Sequence, residues 1–242
     1  MSRVVIGILA GMGPRTSSPF LDDVLEGCRR RYGAVHDEDF PDIALYSLPA
    51  PFRPDRPLDD AAMTAALARG AAALARAGAQ LIAVPCNVVH LYFETIRAAA
   101  GGHVLHIVDE TVRRLPAVAP GRAAVLATRA LATTRLYHAA IERRGWSLLD
   151  EPALQDEVDA LIARYKADGA TGATVDAWAR LRDRLAAGGV TDVVLACPDL
   201  AFCADAAHRG SLQLYNSAAI LADALVAEFC RLEGIAQATT TL

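Results

Sequence analysis

At 242 residues, 53% of them hydrophobic, the chain is long enough for one large α/β domain or two of ordinary size around a substantial core. A net charge of −4 with no basic block argues against nucleic acid as the main partner, and no apolar run reaches membrane-spanning length, since arginine interrupts the alanine-rich segments. Five cysteines (Cys28, Cys86, Cys197, Cys203 and Cys230) form no C-x-x-C pair and no zinc-spaced cluster with histidine, so the expectations are a reducing cytoplasm, no disulfide framework and no metal.

Residues 4–10 read as a fully buried strand, too apolar throughout for a half-exposed one and too short for a signal segment. Gly11-Met12-Gly13-Pro14 breaks it, and residues 16–18 offer N-caps for a helix to about residue 31. This loop reads as a tight turn that uses glycine's φ freedom or as a backbone cradle for a small anion. A dinucleotide fingerprint would want a third glycine where Thr16 stands, which ranks a Rossmann cofactor below the small anion. A second strand over 43–47 leads into a proline-rich loop over 48–60. Within it Arg53 and Arg56 are candidate carboxylate clamps or plain solvated cations. Asp59 or Asp60 caps an alanine-rich helix to about 77, followed by strands over 81–84 and 103–107, with a helix over 88–100 between them. A short helix over 110–115 precedes a linker over 116–120.

The pattern then restarts. A strand over 123–127, a helix from Thr133 or Thr134 to 144, and a strand over 146–149 precede helices over 155–167 and 175–187. A strand ending at Cys197, another over 212–214 and a helix over 217–232 complete the chain. Two comparable sets of alternating strands and helices predict an α/β fold of two pseudo-symmetric lobes, each a parallel sheet flanked by helices, with the active site in the cleft between them. The expected lobes are 1–116 plus 211–242 on the Cys86 side, and 117–210 on the Cys197 side.

Each set ends a strand in a cysteine: Leu81-Ile82-Ala83-Val84-Pro85-Cys86 and Val193-Val194-Leu195-Ala196-Cys197. A thiol where a strand stops and a helix starts meets unpaired N–H groups, which favour anions and the thiolate; the alternative is a buried, inert cysteine. Two such thiols on either side of a carbon acid allow one to remove a proton from one face while the other delivers a proton to the opposite face, inverting a stereocentre. Their shared cleft keeps one proton between them. Without a cofactor sink, charge pushed onto the α-carboxylate has to be met by fixed donors, which helix N-termini supply. Lys166 is the only lysine of the chain, in which lysine and arginine together number 24, a hint that an ammonium is wanted there. His90 reads as a tuner of Cys86 or as a packed core histidine, and Trp146 and Trp178 read as core.

Ile6-Gly7-Ile8-Leu9-Ala10-Gly11-Met12-Gly13-Pro14, Pro85-Cys86-Asn87-Val88-Val89-His90, Leu126-Ala127-Thr128 with Thr134 and Tyr137, and Ala196-Cys197-Pro198-Asp199 together resemble the aspartate/glutamate racemase superfamily, in its aspartate and broad-specificity amino-acid branch. Pro54-Asp55-Arg56 is similar to a P-D-R segment of acidic-substrate members, and Lys166 matches the K-x-G lysine. The resemblance implies a racemase or epimerase of a small amino acid, with aspartate or glutamate foremost, that uses no cofactor. In it Cys86 and Cys197 are the acid/base pair. Asn87 and the Val88 N–H hold the α-carboxylate, Met12 lines the floor, Thr128 binds substrate in the second lobe, and Arg56 and Lys166 take a side-chain carboxylate. It also implies a homodimer whose partners are small molecules rather than nucleic acid or membrane. The chain departs from the pattern where Val88 and Pro198 replace the usual threonines, Asp199 the usual glutamate and Leu131 a frequent threonine. Pro198 lacks an N–H, and one lost oxyanion donor costs roughly a hundredfold in rate. A decarboxylase or cis–trans isomerase of a dicarboxylic acid and a catalytically weak carboxylate-binding protein remain alternatives, with a nicotinamide oxidoreductase the weakest.

Overall fold

The first strand, β1 (Val5–Ala10), is buried over its last five residues, as its unbroken apolar sequence requires of a strand covered on both faces. In this computed structural model, which describes residues 3–51, 59–117, 121–205, 208 and 210–236, β1 is flanked in parallel by β2 (Asp42–Ser47) and β3 (Ala79–Ala83). The two-residue β4 (His103–Val104) completes the order β2-β1-β3-β4. Helices α1 (Ser17–Tyr32), α2 (Asp60–Arg76) and α3 (Phe93–Ala100) join the strands. Asp59 caps α2, its side chain accepting the Ala62 N–H at 2.9 Å, and Met63, Ala66, Leu67, Gly70, Ala71 and Leu74 recur at helical spacing to form its buried stripe.

Past α4 (Ile107–Arg113) the same architecture is built again. β5 (Arg122–Leu126) lies between β6 (Ser147–Leu148) and β7 (Val190–Leu195), with β8 (Gln213–Asn216) beyond β7. All four are parallel in the order β6-β5-β7-β8. The intervening helices are α5 (Arg129–Ala132), α6 (Leu136–Glu142), α7 (Pro152–Asp168) and α8 (Gly172–Ala187), and α9 (Ser217–Glu233) ends the described fold. Trp178 is wholly buried in the second core, its Nε1–H donating to the His208 carbonyl at 2.9 Å, and Trp146 is buried as well. The two pseudo-symmetric α/β units are thus two parallel sheets of identical strand order.

The units are Met1–Ile107 with Leu221–Leu242, and Val108–Ile220. The second division falls at 220/221 and not at 210/211 because β8 pairs with β7, which keeps 213–216 in the second unit until the chain returns within α9, and the first falls at 107/108 and not at 116/117. Three local expectations also change. The strand expected over 103–107 stops at Val104, although Leu105 N–H still donates to the Ile82 carbonyl at 2.9 Å. The helix expected over 88–100 is a 3-10 helix, Val88–Tyr92, followed by α3. The helix expected from Thr133 or Thr134 to 144 spans only Leu136–Glu142, with the short α5 ahead of it and Arg135 left-handed at φ 54° between the two. There the Thr134 hydroxyl donates to the Leu131 carbonyl and accepts the Leu136 N–H, a local alternative to helical bonding.

Candidate active site

In both sheets the chain leaves the central strand to one side and returns on the other, so the switch point lies between β1 and β3 in the first unit and between β5 and β7 in the second. Ligands of open parallel sheets bind beyond the carboxyl ends of strands at such points. The loop Gly11-Met12-Gly13 follows β1, and Cys86-Asn87-Val88 follows β3. In the second unit Ala127-Thr128 follows β5, and Cys197-Pro198-Asp199 follows β7.

In the first unit Gly11 holds φ +92°, and a Cβ there would meet the Leu48 backbone N and O at 2.6 Å, so only glycine lets this loop pack on the end of β2. The Gly11 N–H donates to Ser17 Oγ at 3.2 Å. Met12 and Val88 pack against the apolar cluster that contains Cys86, Val84 and Val89. Asn87 is buried beside them. The Cys86 N–H donates to the Val84 carbonyl at 2.8 Å, a tight turn that ends the strand. Burial pushes the Cys86 thiol up to about 11, against the backbone N–H groups of Val89 and Val88, which favour the thiolate. The donors expected to favour the thiolate are in place, and burial acts against them. Loss of water outweighs the donors of a five-residue 3-10 helix.

His90 is buried, and its Nδ1–H donates to the Cys86 carbonyl at 2.9 Å. It therefore grips the peptide carrying the thiol, and its ring stacks on Phe93 and meets His106 edge-on. Burial, followed by the neighbouring His106, holds the imidazole neutral by lowering its pKa to about 4.

In the second unit Cys197 caps a 3-10 helix, Pro198–Ala204. Its Sγ–H donates to Asp199 Oδ2 at 3.6 Å, and Lys166, in the last turn of α7, places Nζ 3.5 Å from the same oxygen. Burial and then the Asp199 carboxylate push the Cys197 thiol up to about 12, while the Asp199 N–H and Lys166 act in the opposite direction. The donors that meet the sulfurs lie two or three residues beyond each cysteine, so the N–H that Pro198 lacks is not one of them. Thr128 caps α5 through its carbonyl, which accepts the Leu131 and Ala132 N–H groups at 2.9 Å. Gln155 braces the preceding turn by donating to the Ala127 carbonyl at 2.9 Å.

Met12, Cys86, Asn87 and Val88 are thus gathered at one switch point, and Thr128 and Cys197 sit at the other, with Lys166 reaching Cys197 through Asp199. Arg53 and Arg56 lie outside the described residues. Sequence reading missed Asp199 as the link between thiol and ammonium. The signal available was a carboxylate two residues past a strand-end cysteine. Among the described residues no group of three or more His, Cys, Asp or Glu side chains is placed to hold a metal ion, and no helix is long and apolar enough to cross a membrane.

The family model described as Asp/Glu/Hydantoin racemase matches residues 9–225. The chain is 36% identical over 227 residues to the broad specificity amino-acid racemase RacX of Bacillus subtilis (strain 168), covering 93% of this chain and 98% of that protein. Among solved structures it is similar to an aspartate racemase of Picrophilus torridus, with a TM-score of 0.78 and 20% identity over 93% of this chain and 94% of that one. It is also similar to an aspartate racemase homologue from Pyrococcus horikoshii OT3, with a TM-score of 0.75 and 22% identity over 95% and 99%. At these identities the structural likeness bears on the fold.

Proposed function

Because the chain belongs to the Asp/Glu/Hydantoin racemase family, we propose that it is a cofactor-independent racemase of a small amino acid in which Cys86 and Cys197 act on one α-carbon. The observation that carries this reading is the repetition: in two sheets of identical strand order, the strand on the far side of the switch point ends in a buried cysteine whose sulfur meets backbone N–H groups. For one enantiomer the Cα–H bond breaks as the proton passes to the Cys86 thiolate. The Cys197 S–H bond then breaks as its proton forms a new Cα–H bond on the opposite face. The other enantiomer runs the same steps with the thiols exchanged. Charge gathered on the α-carboxylate is met by Asn87 and the Val88 N–H, with Met12 beneath and Thr128 on the second unit's side.

Aspartate or glutamate is the substrate this reading favours, with Arg56 and Lys166 as clamps for a second carboxylate. A broader side-chain range is the second reading, favoured by the engagement of Lys166 with Asp199, which already answers part of its charge. Retention of both cysteines favours racemisation over the one-thiol decarboxylase and isomerase chemistries. We further propose a homodimer, to be checked by sedimentation.

The test is incubation of single amino-acid enantiomers in heavy water. Deuterium is expected at Cα together with the opposite enantiomer, and Cys86→Ser and Cys197→Ser are each expected to lower the rate by at least about a hundredfold. Exchange that survives both replacements unchanged overturns the assignment. Turnover confined to aspartate and glutamate selects the first reading of specificity, whereas comparable turnover of neutral or basic amino acids selects the second.

A further inference from the structure

The two cysteines share a place in the fold but not an environment. Cys86 Sγ faces the backbone N–H groups of Val88 and Val89, and His90 is occupied with the Cys86 carbonyl. Cys197 Sγ faces a carboxylate: its S–H points at Asp199 Oδ2, the same oxygen that Lys166 Nζ approaches. An S–H donor bonded to a carboxylate is a protonated thiol, because a thiolate there would place two negative charges side by side.

We infer that Asp199 is a positioning residue that fixes the proton inventory of the working form, holding Cys197 as the thiol donor and leaving Cys86 to ionise as the base, with Lys166 restraining how strongly the carboxylate does so. The assignment of acid and base rests on the two-thiol reading above. Other titratable groups on the elements packed around Cys197 are engaged elsewhere. Asp192 accepts from the Tyr215 and Thr191 hydroxyls, His208 lies against the Phe202 carbonyl with Asp205 nearby, and Tyr165 stacks on Phe202. Cys203 is buried in the core.

The inventory has a consequence for turnover. The enantiomer that presents its α-proton to Cys86 reacts with the form in which Cys86 has lost its proton and Cys197 has kept its own, and leaves Cys86 as thiol and Cys197 as thiolate beside Asp199. To start again on the same enantiomer, one proton leaves Cys86 for solvent and one arrives at Cys197 from solvent. Lys166, half exposed, lies on the solvent side of that exchange. A racemisation has an equilibrium constant of one, so kcat/KM must match for the two enantiomers. The asymmetry is therefore confined to kcat and KM taken separately.

The experiment titrates Cys197 by the ultraviolet absorbance of its thiolate in full-length protein carrying Cys86→Ser, so that Cys28, Cys203 and Cys230 are common to every variant compared. Adding Asp199→Asn is expected to lower the Cys197 midpoint by roughly one unit, giving roughly tenfold more thiolate at a fixed pH below it. Adding Lys166→Met, at an exposed position that does not threaten folding, is expected to raise the midpoint, and Asp199→Glu to restore it. An unmoved midpoint in both Asp199→Asn and Lys166→Met, or shifts of the same sign in the two, overturns the inference. No substrate is needed. A shifted titration in a protein that exchanges no α-proton leaves the Asp199 contact standing and removes the racemase reading, whereas exchange with an unshifted Cys197 does the reverse.

Discussion

The residue that should respond most visibly to pH is Cys86. Its thiol is held up near 11 by burial, so at neutral pH the free protein carries little of the thiolate base, and each unit of pH adds roughly tenfold more. The expected kcat/KM therefore climbs by about one decade per unit between roughly pH 7 and 9, before the substrate's own ammonium begins to titrate. A thiol poised below 7 would give a flat profile over that range. His90 makes the opposite kind of statement. Its folded pKa, about 4, lies below the roughly 6.5 of an exposed histidine, so between these values the unfolded chain binds the extra proton. Its contribution is fully present above about pH 6.5 and is lost as pH falls toward 4, at most about 3 kcal/mol from this one group. His138, also held low by burial, works in the same direction. Denaturant midpoints measured from pH 7 to 4 should fall, and in His90→Gln the fall should be shallower by about one proton.

At the level of elements, the stitching of the loops beyond β1 and β2 makes Gly11 the critical joint. Leu48 N–H donates to the Ala10 carbonyl at 2.9 Å, which fixes the backbone that a Cβ at Gly11 would strike. Backbone cannot step aside as a flexible side chain does, and the positive φ adds strain, so Gly11→Ala should cost about 2–4 kcal/mol. A lower denaturant midpoint at unchanged m-value is the expected signature, with activity reduced because Met12 follows directly. The strands around this joint were legible from sequence because their burial is written in unbroken apolar runs such as Ile6 to Ala10 and Leu81 to Val84. The repeat of strand-end cysteines gave the candidate pair, and Trp146 and Trp178 were legible as core. What escaped was decided by geometry rather than by periodicity. The turn after each cysteine is a 3-10 helix because backbone bonding there closes three residues on, as in His90 N–H to the Asn87 carbonyl and Leu200 N–H to the Cys197 carbonyl. The Asp199–Lys166 pair joins residues far apart in sequence, and no local pattern announces it. The balance at each thiol was not legible because strand-end position advertises N–H donors while saying nothing of how completely water is shut out.

For the whole molecule, the way the chain is divided between units gives a test of its own. The second unit, Val108–Ile220, is one continuous segment, whereas the first is completed only by residues from Leu221 onward. Within that returning segment, Val226 lies against Gly27, whose missing side chain admits it, and Phe229 sits against Tyr32 with the Arg3 guanidinium over its ring. Asp223 takes both nitrogens of the Arg31 fork at 3.0 and 2.7 Å, and Glu233 accepts the Val4 N–H beside the start of β1. Leu225, Val226, Phe229 and Cys230 are wholly buried. Each large apolar side chain among them is worth about 1.5–3 kcal/mol, against a total domain stability of about 5–15 kcal/mol. A chain stopped after Ile220 should therefore lose the first unit while the second, whose strands find all their partners inside 108–220, keeps its structure. Hydrogen exchange is the measurement that reads this unit by unit. Amides of β1 and β3 are expected to exchange without protection in the truncated chain, and those of β5 and β7 to stay protected. Protection surviving in β1 and β3 would show that the sheet, α1 and α2 suffice without α9, and that the late return of the chain is not what holds the Cys86 half of the protein together.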